Sequence, residues 1–127
     1  MKIFMFIFLA LSATGFADQL LFDNLTKYPT KTAKMAVQWA NSAKQVDEEN
    51  RALIEGSSPT NLLYLSKTGK TEISIPKGMQ HFRVLVWTKD QQTPDLHTNW
   101  VDIVPNKTYV LKQDQLVPTV LIHGSGC

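Results

Sequence analysis

The sequence predicts a mainly β, antiparallel sandwich-like single domain with one helix near residues 33–55, and three observations carry that expectation. After Pro59 the chain breaks into short apolar segments separated by turn residues, the pattern of a β-rich fold. Between Thr30 and Glu55 it carries neither glycine nor proline, which leaves room for one helix of ordinary length. The second half offers no stretch long enough for the crossovers that parallel strands require. An α+β arrangement of the same elements is the fallback.

At the N-terminus, Lys2 precedes an unbroken apolar run from Ile3 to Leu11, and small residues follow at Gly15 and Ala17; together they read as a signal peptide over residues 1–17. The run is much shorter than the roughly 20 residues that span a bilayer, so cleavage is expected, with no membrane anchor afterwards. No cysteine stands near the signal's end to accept a lipid. A secreted or periplasmic destination is therefore expected, with residues 18–127 as one β-rich domain; 110 of the 127 residues remain, enough for a single core.

The elements follow in order. Residues 19–26, Gln-Leu-Leu-Phe-Asp-Asn-Leu-Thr, form a short apolar run that ends before Pro29 and suits a first strand. In the next stretch Met35, Trp39, Ala43, Val46 and Leu53 fall on one helical face, with Lys34, Gln38, Asn41, Gln45 and Glu48 opposite. A strand reading competes over 34–40, where Met35, Val37 and Trp39 alternate with Lys34, Ala36 and Gln38. Alternation fails after Asn41 while the helical stripe continues, so the helix is favoured and is most secure over 43–55. Gly56 and Pro59 stop it. Asn61–Ser66 and Thr71–Ile75 flank Lys67-Thr68-Gly69-Lys70 as a predicted hairpin, and Pro76-Lys77-Gly78 turns the chain again. His81–Thr88, Thr98–Val104, Lys107–Lys112 and Pro118–His123 complete the strands. The glycine-rich end, residues 124–127, is expected to form a flexible tail.

Charge is nearly balanced at a formal +2, so long-range attraction to nucleic acid or to an anionic membrane is not encoded in the total. One cysteine, Cys127, allows no intrachain disulfide, so core packing must hold the domain. That favours a bacterial exported protein over a cystine-rich animal module, and an odd cysteine in an oxidising compartment suggests a disulfide-linked homodimer through Cys127. Asn24-Leu25-Thr26 and Asn106-Lys107-Thr108 match the glycosylation acceptor pattern.

Candidate sites begin with the segments Phe82–Thr88 and Thr98–Val104, both rich in successive apolar residues. A register that sets Trp87 opposite Trp100 gives one aliphatic face and one face carrying Arg83, Trp87, Trp100 and Asp102, with Arg83 diagonal to Asp102. Flat rings supply contact area and charged groups supply orientation, so these four are the expected ligand-binding residues. The bland alternative buries both tryptophans beneath the helix. His81, His97, His123, Asp95 and Cys127 include metal-binding types, but no spacing is diagnostic, and no metal or cofactor is expected. A cupredoxin-like copper site is disfavoured because that pattern places a histidine shortly after its cysteine. Ser125 lacks the Gly-x-Ser-x-Gly setting, the acids at 47–49 and 55 read as a solvated helix face, and no phosphate-cradling glycine loop occurs.

Strand number and spacing resemble small immunoglobulin-like or transthyretin-like sandwiches; the likeness implies an architecture and carries no site. The expected role is an exported, non-enzymatic binding or accessory module with a protein or glycan partner. The alternative is a small metal-binding protein or hydrolytic enzyme that uses His97, Asp95 or His123.

Overall fold

A computed structural model describes residues 18–119; the expected signal peptide, the end of the last predicted strand, the tail, His123 and Cys127 lie outside them. Two sheets carry the fold. The smaller has the order β4-β1-β8, from β1 (Gln19–Asn24), β4 (Gly69–Ser74) and β8 (Thr108–Leu111). The larger runs β3-β2-β5-β6-β9, from β2 (Lys34–Ala40), β3 (Leu62–Tyr64), β5 (His81–Trp87), β6 (Leu96–His97) and β9 (Val117–Pro118), and β7 (Val101–Asp102) also pairs with β5. One α-helix, α1 (Ala43–Ile54), follows β2, and a 3-10 turn spans Gln113–Gln115. The expected mainly β sandwich with one helix is therefore the fold.

Alternation places the core. Leu20 and Phe22 of β1, Ile73 of β4 and Leu111 of β8 face Met35, Val37 and Trp39 of β2 and Phe82, Val84 and Val86 of β5, and together they form one buried cluster. Aromatic contacts bridge it: Phe82 meets Tyr109 edge-on with ring centroids 5.0 Å apart and lies 6.3 Å from Trp39.

Three expectations are corrected. Residues 34–40 form a strand and not the start of the helix, because β2 sits in the middle of the larger sheet, paired from Lys34↔Trp87 to Ala40↔His81 on one side and with β3 on the other. Covered on both faces, it reads as a nearly continuous apolar run, and such a run carries helical and strand periodicities at once. The helix begins only at Ala43. Ser42 caps it, its hydroxyl accepting the Gln45 N–H at 3.1 Å, while the Gln45 side chain accepts the Asn41 N–H at 2.6 Å. Its end is set by Gly56, whose φ of +79° permits the Gly56 N–H to Leu53 and Ser57 N–H to Ala52 hydrogen bonds.

The predicted hairpin between 61–66 and 71–75 does not form, since β3 belongs to the larger sheet and β4 pairs with β1 in the smaller one. Leu65 N–H still bonds Met35 O, so the chain leaves the larger sheet after that residue and turns at Gly69, φ +87°, into the other. Pairing is also not wholly antiparallel. β1 and β8 run parallel, and the crossover that such a pair needs is supplied by the whole chain between them. Of the two glycosylation-pattern asparagines, Asn24 is 2% exposed and accepts from Thr26, so the folded chain offers only the exposed Asn106. Among the described residues no helix is long and apolar enough to cross a membrane.

Candidate functional site

The outer face of the larger sheet, turned away from the sandwich core, carries the site. Along β5 this face presents His81, Arg83, Leu85 and Trp87, paired across to Ala40, Gln38, Ala36 and Lys34 of β2. Apolar neighbours flank the middle, and α1 lies over Gln38 and Arg83. Arg83, in the middle of an otherwise apolar strand, is only 1% exposed.

Its guanidinium is held by neutral acceptors. Nε donates to Gln38 Oε1 at 2.7 Å, Nη1 to Asn50 Oδ1 at 3.0 Å and Nη2 to the Glu49 carbonyl at 3.4 Å. The Glu49 carboxylate is engaged elsewhere, accepting from Gln38 Nε2 and Thr60 Oγ1, each at 2.8 Å. Ion pairs among the described residues are Lys44–Glu48 and His81–Asp102, so no described carboxylate lies within ion-pair distance of Arg83. Burial lowers its pKa to about 10, opposed in part by the negative charge of Glu49. A cation in this setting is solvated chiefly by dipoles, with Glu49 acting on it through space and no described carboxylate in contact.

A bulge brings Trp100 onto it. Leu85 pairs with His97 and Phe82 with Val101, so the 97–101 segment spends one residue more than β5 does over the same distance. Thr98 covers the irregularity: its N–H donates to Val84 O and its hydroxyl accepts from Val84 N–H. Beyond it the Trp100 ring lies over the guanidinium, 4.4 Å from Cζ to ring centroid, and its Nε1 donates to the same Asn50 oxygen at 2.9 Å. A cavity of about 250 Å³ opens beside the stack, lined by Arg83, Asn50, Ile54, Asn99, Trp100 and their neighbours His97 and Thr98. That volume is below the range typical of whole-ligand pockets, roughly 300–1,000 Å³, and suits one end group of a larger molecule.

The register differs from the expected one. Trp87 does not face Trp100; Lys34 faces it across β2, and its other neighbour, the 88–95 loop, covers it. Pairing to β5 resumes already at Leu96, opposite Val86, which slides the returning segment five residues from the anticipated alignment at Leu96–His97 and four at Val101–Asp102. Trp87 is 3% exposed, its indole N–H bonded to Gln92 O, and stands roughly 13 Å along the strand from Arg83 at ~3.3 Å per residue. Asp102 pairs with His81 at 2.9 Å, its side chain 87% exposed, and not with Arg83. Of the four expected site residues the fold therefore brings Arg83 and Trp100 together and leaves Trp87 and Asp102 apart from them. Gln38 and Asn50, which complete the cluster, carry no motif; a glutamine inside Lys-Met-Ala-Val-Gln-Trp-Ala and an arginine inside His-Phe-Arg-Val-Leu-Val-Trp were the available signal.

The residues weighed for metal binding take separate partners. Asp95 accepts from the Thr88 backbone and hydroxyl, and His97 Nδ1 meets Thr119 Oγ1 at 3.3 Å. Among the described residues no group of three or more His, Cys, Asp or Glu side chains is placed to hold an ion. No protein-family model matches the chain, and no curated protein matches it in sequence.

His97 gives the site a pH dependence. Burial, and secondly the charge of Arg83, lower its pKa below 6.5. Below pH 6.5 the unfolded chain then binds a proton that the folded chain resists, so the His97 contribution to stability is complete above pH 6.5 and is lost as pH falls toward the folded pKa. Urea unfolding at pH 7.5 and 5.0 should show wild type losing more stability on acidification than His97→Asn; equal losses would contradict the assignment.

Proposed function

We propose that the protein is an exported, non-catalytic binding module that uses the Arg83–Trp100 pocket to hold the carboxylate of a larger ligand. The observation that carries this reading is the buried guanidinium beside an open cavity with no described carboxylate at ion-pair distance. A carboxylate entering there adds the missing counter-charge in a partly desolvated setting, where charge-assisted hydrogen bonds are shorter and stronger than neutral ones. Trp100 adds a flat apolar wall, and Asn99 and Asn50 add polar edges. The small cavity fits an end group, with the rest of the ligand lying outside. A protein chain end or side chain and an acidic sugar share this chemistry. The apolar run at residues 3–11 supports export, and the missing nucleophile and phosphate-loop patterns support a role without catalysis.

Intrinsic fluorescence tests the reading, because Trp39 and Trp87 are buried while Trp100 is half-buried at the pocket. Titration with a peptide bearing a free C-terminal carboxylate and with a uronic-acid disaccharide should produce, from at least one of them, a saturable change that is lost in Trp100→Phe, the tryptophan that lines this pocket. The amidated peptide and the methyl-esterified sugar should produce none. Saturable signals of equal affinity from the charged and neutral forms, or no saturable signal from either charged probe, would remove the proposal.

A further inference from the structure

We propose that a second surface, sharing no residue with the Arg83 pocket, is a binding groove for an acidic polysaccharide. It is an open trough of about 570 Å³ between the loop that precedes β2 and the residues at the end of β3, with Lys31, Lys34, Tyr64 and Ser66 among its walls. Both lysines are exposed and neither takes part in an ion pair among the described residues. No acidic residue lines the trough. The chain that builds its walls is basic: Asn24–Asn41 carries Lys27, Lys31 and Lys34, and Gly56–Thr71 carries Lys67 and Lys70, with no Asp or Glu in either stretch. A near-neutral total thus conceals a local positive field.

The aromatic component selects the occupant. Tyr64 is 53% exposed, and its ring lies 5.7 Å from Trp87, whose indole is fixed by its bond to Gln92 O. Lys34 Nζ stands 5.8 Å from the Tyr64 ring and 5.9 Å from the Trp87 ring, so a cation is held beside a braced aromatic platform. A pyranose offers an apolar C–H face to such a ring, and a uronic-acid sugar adds a carboxylate on the ring's edge within reach of the lysine. An acidic peptide matches the charge but not the platform. It would also find little backbone to pair with, because the adjoining edge strand β3 is three residues long.

Calorimetric titration of the full mature chain with tetrameric galacturonate and with an alginate oligomer tests this directly. Methyl-esterified galacturonate and poly-glutamate serve as controls. The expected result is binding of at least one acidic oligosaccharide that weakens with added salt, at least tenfold weaker binding of the ester, and weak binding of poly-glutamate. Tyr64→Ala should lower affinity at least tenfold, and Lys31→Gln and Lys34→Gln several-fold each. These side chains are largely exposed, so circular dichroism should stay at wild type, and the melting temperature should fall only slightly, in Tyr64→Ala, from loss of the contact with Trp87. The groove is separated from the pocket by these three variants, because Tyr64, Lys31 and Lys34 do not line the Arg83 cavity and their loss should leave binding there intact. Absence of binding to both oligosaccharides, an unchanged affinity in Tyr64→Ala, or poly-glutamate binding as tightly as the sugars would overturn the proposal; the last outcome would assign the surface to acidic peptides.

Discussion

Phe82→Ala is expected to destabilise the fold by about 3 kcal/mol, the largest effect of any single substitution argued for this chain. Phe82 joins the two sheets within the shared core: it projects from β5, meets Tyr109 of β8 edge-on and packs beside Trp39 of β2. Truncation removes the transfer free energy of the ring and leaves a void between the sheets. Phe→Ala changes in closed cores cost about 3–5 kcal/mol. The lower end is expected because Phe82 also lines a cleft of about 530 Å³ between the sheets, open enough for neighbouring side chains and water to relax into the space. Denaturant unfolding monitored by tryptophan fluorescence should show the midpoint falling with little change in slope. A loss below about 1 kcal/mol would mean that the sheets do not depend on this contact.

Arg83→Met is expected to cost about 2 kcal/mol, with a signature that separates it from a core cavity. Two opposing effects set the size. Removing a buried cation with no carboxylate in contact relieves its desolvation, which is stabilising. Three hydrogen bonds made by a charged donor disappear, at roughly 1.5–3 kcal/mol each before that relief, and Gln38 Oε1 is left buried and unpaired. Asn50 keeps the Trp100 N–H, so its oxygen is not orphaned. Because Nη1 and Nη2 both reach α1, amide hydrogen exchange should accelerate in α1 before it does in β2 or β5. The same variant should raise the pKa of His97, since the Arg83 charge is one of the two causes that lower it. Uniform acceleration across both sheets, with His97 unmoved, would show that Arg83 acts only by filling space.

How much of this was legible in the sequence depends on what each residue answers to. β1, β5 and the second part of the 30–55 stretch follow from local pattern: a short apolar run in Gln-Leu-Leu-Phe-Asp-Asn, successive apolar residues in β5, and a helical stripe with a Gly56 stop in α1. Residues 34–40 did not, because a strand covered on both faces loses the polar positions that reveal its period, and tertiary pairing with β5 decides its state. The partner of β4 was hidden for a related reason. A short turn-like sequence such as Lys67-Thr68-Gly69-Lys70 suits a hairpin and a sheet-to-sheet crossing equally well, and only the remote strand β1 distinguishes them.

The site was partly legible. Arg83 and Trp100 stand out as a charge inside an apolar strand and an aromatic in the returning segment. Their contact rests on a bulge at 98–100 that no residue type there announces. Trp87 and Asp102 were linked to them by an assumed register, and a shift of a few residues sent Trp87 to the Tyr64 platform and Asp102 to His81. Gln38 and Asn50 are ordinary amides whose importance appears only when the helix is laid on the sheet.

The proposed binding role requires a carboxylate to reach the Arg83 guanidinium, and nitrogen-15 NMR of the arginine Nε–H groups reads that side chain directly. In a titration with the free-carboxylate peptide and the uronic-acid disaccharide, the Arg83 resonance should move saturably with at least one of them and stay still with the neutral counterparts, while the Arg51 resonance, on the exposed side of α1, remains in place. An Arg83 resonance that does not respond to either carboxylate, in a protein whose backbone spectrum remains folded, would contradict the account.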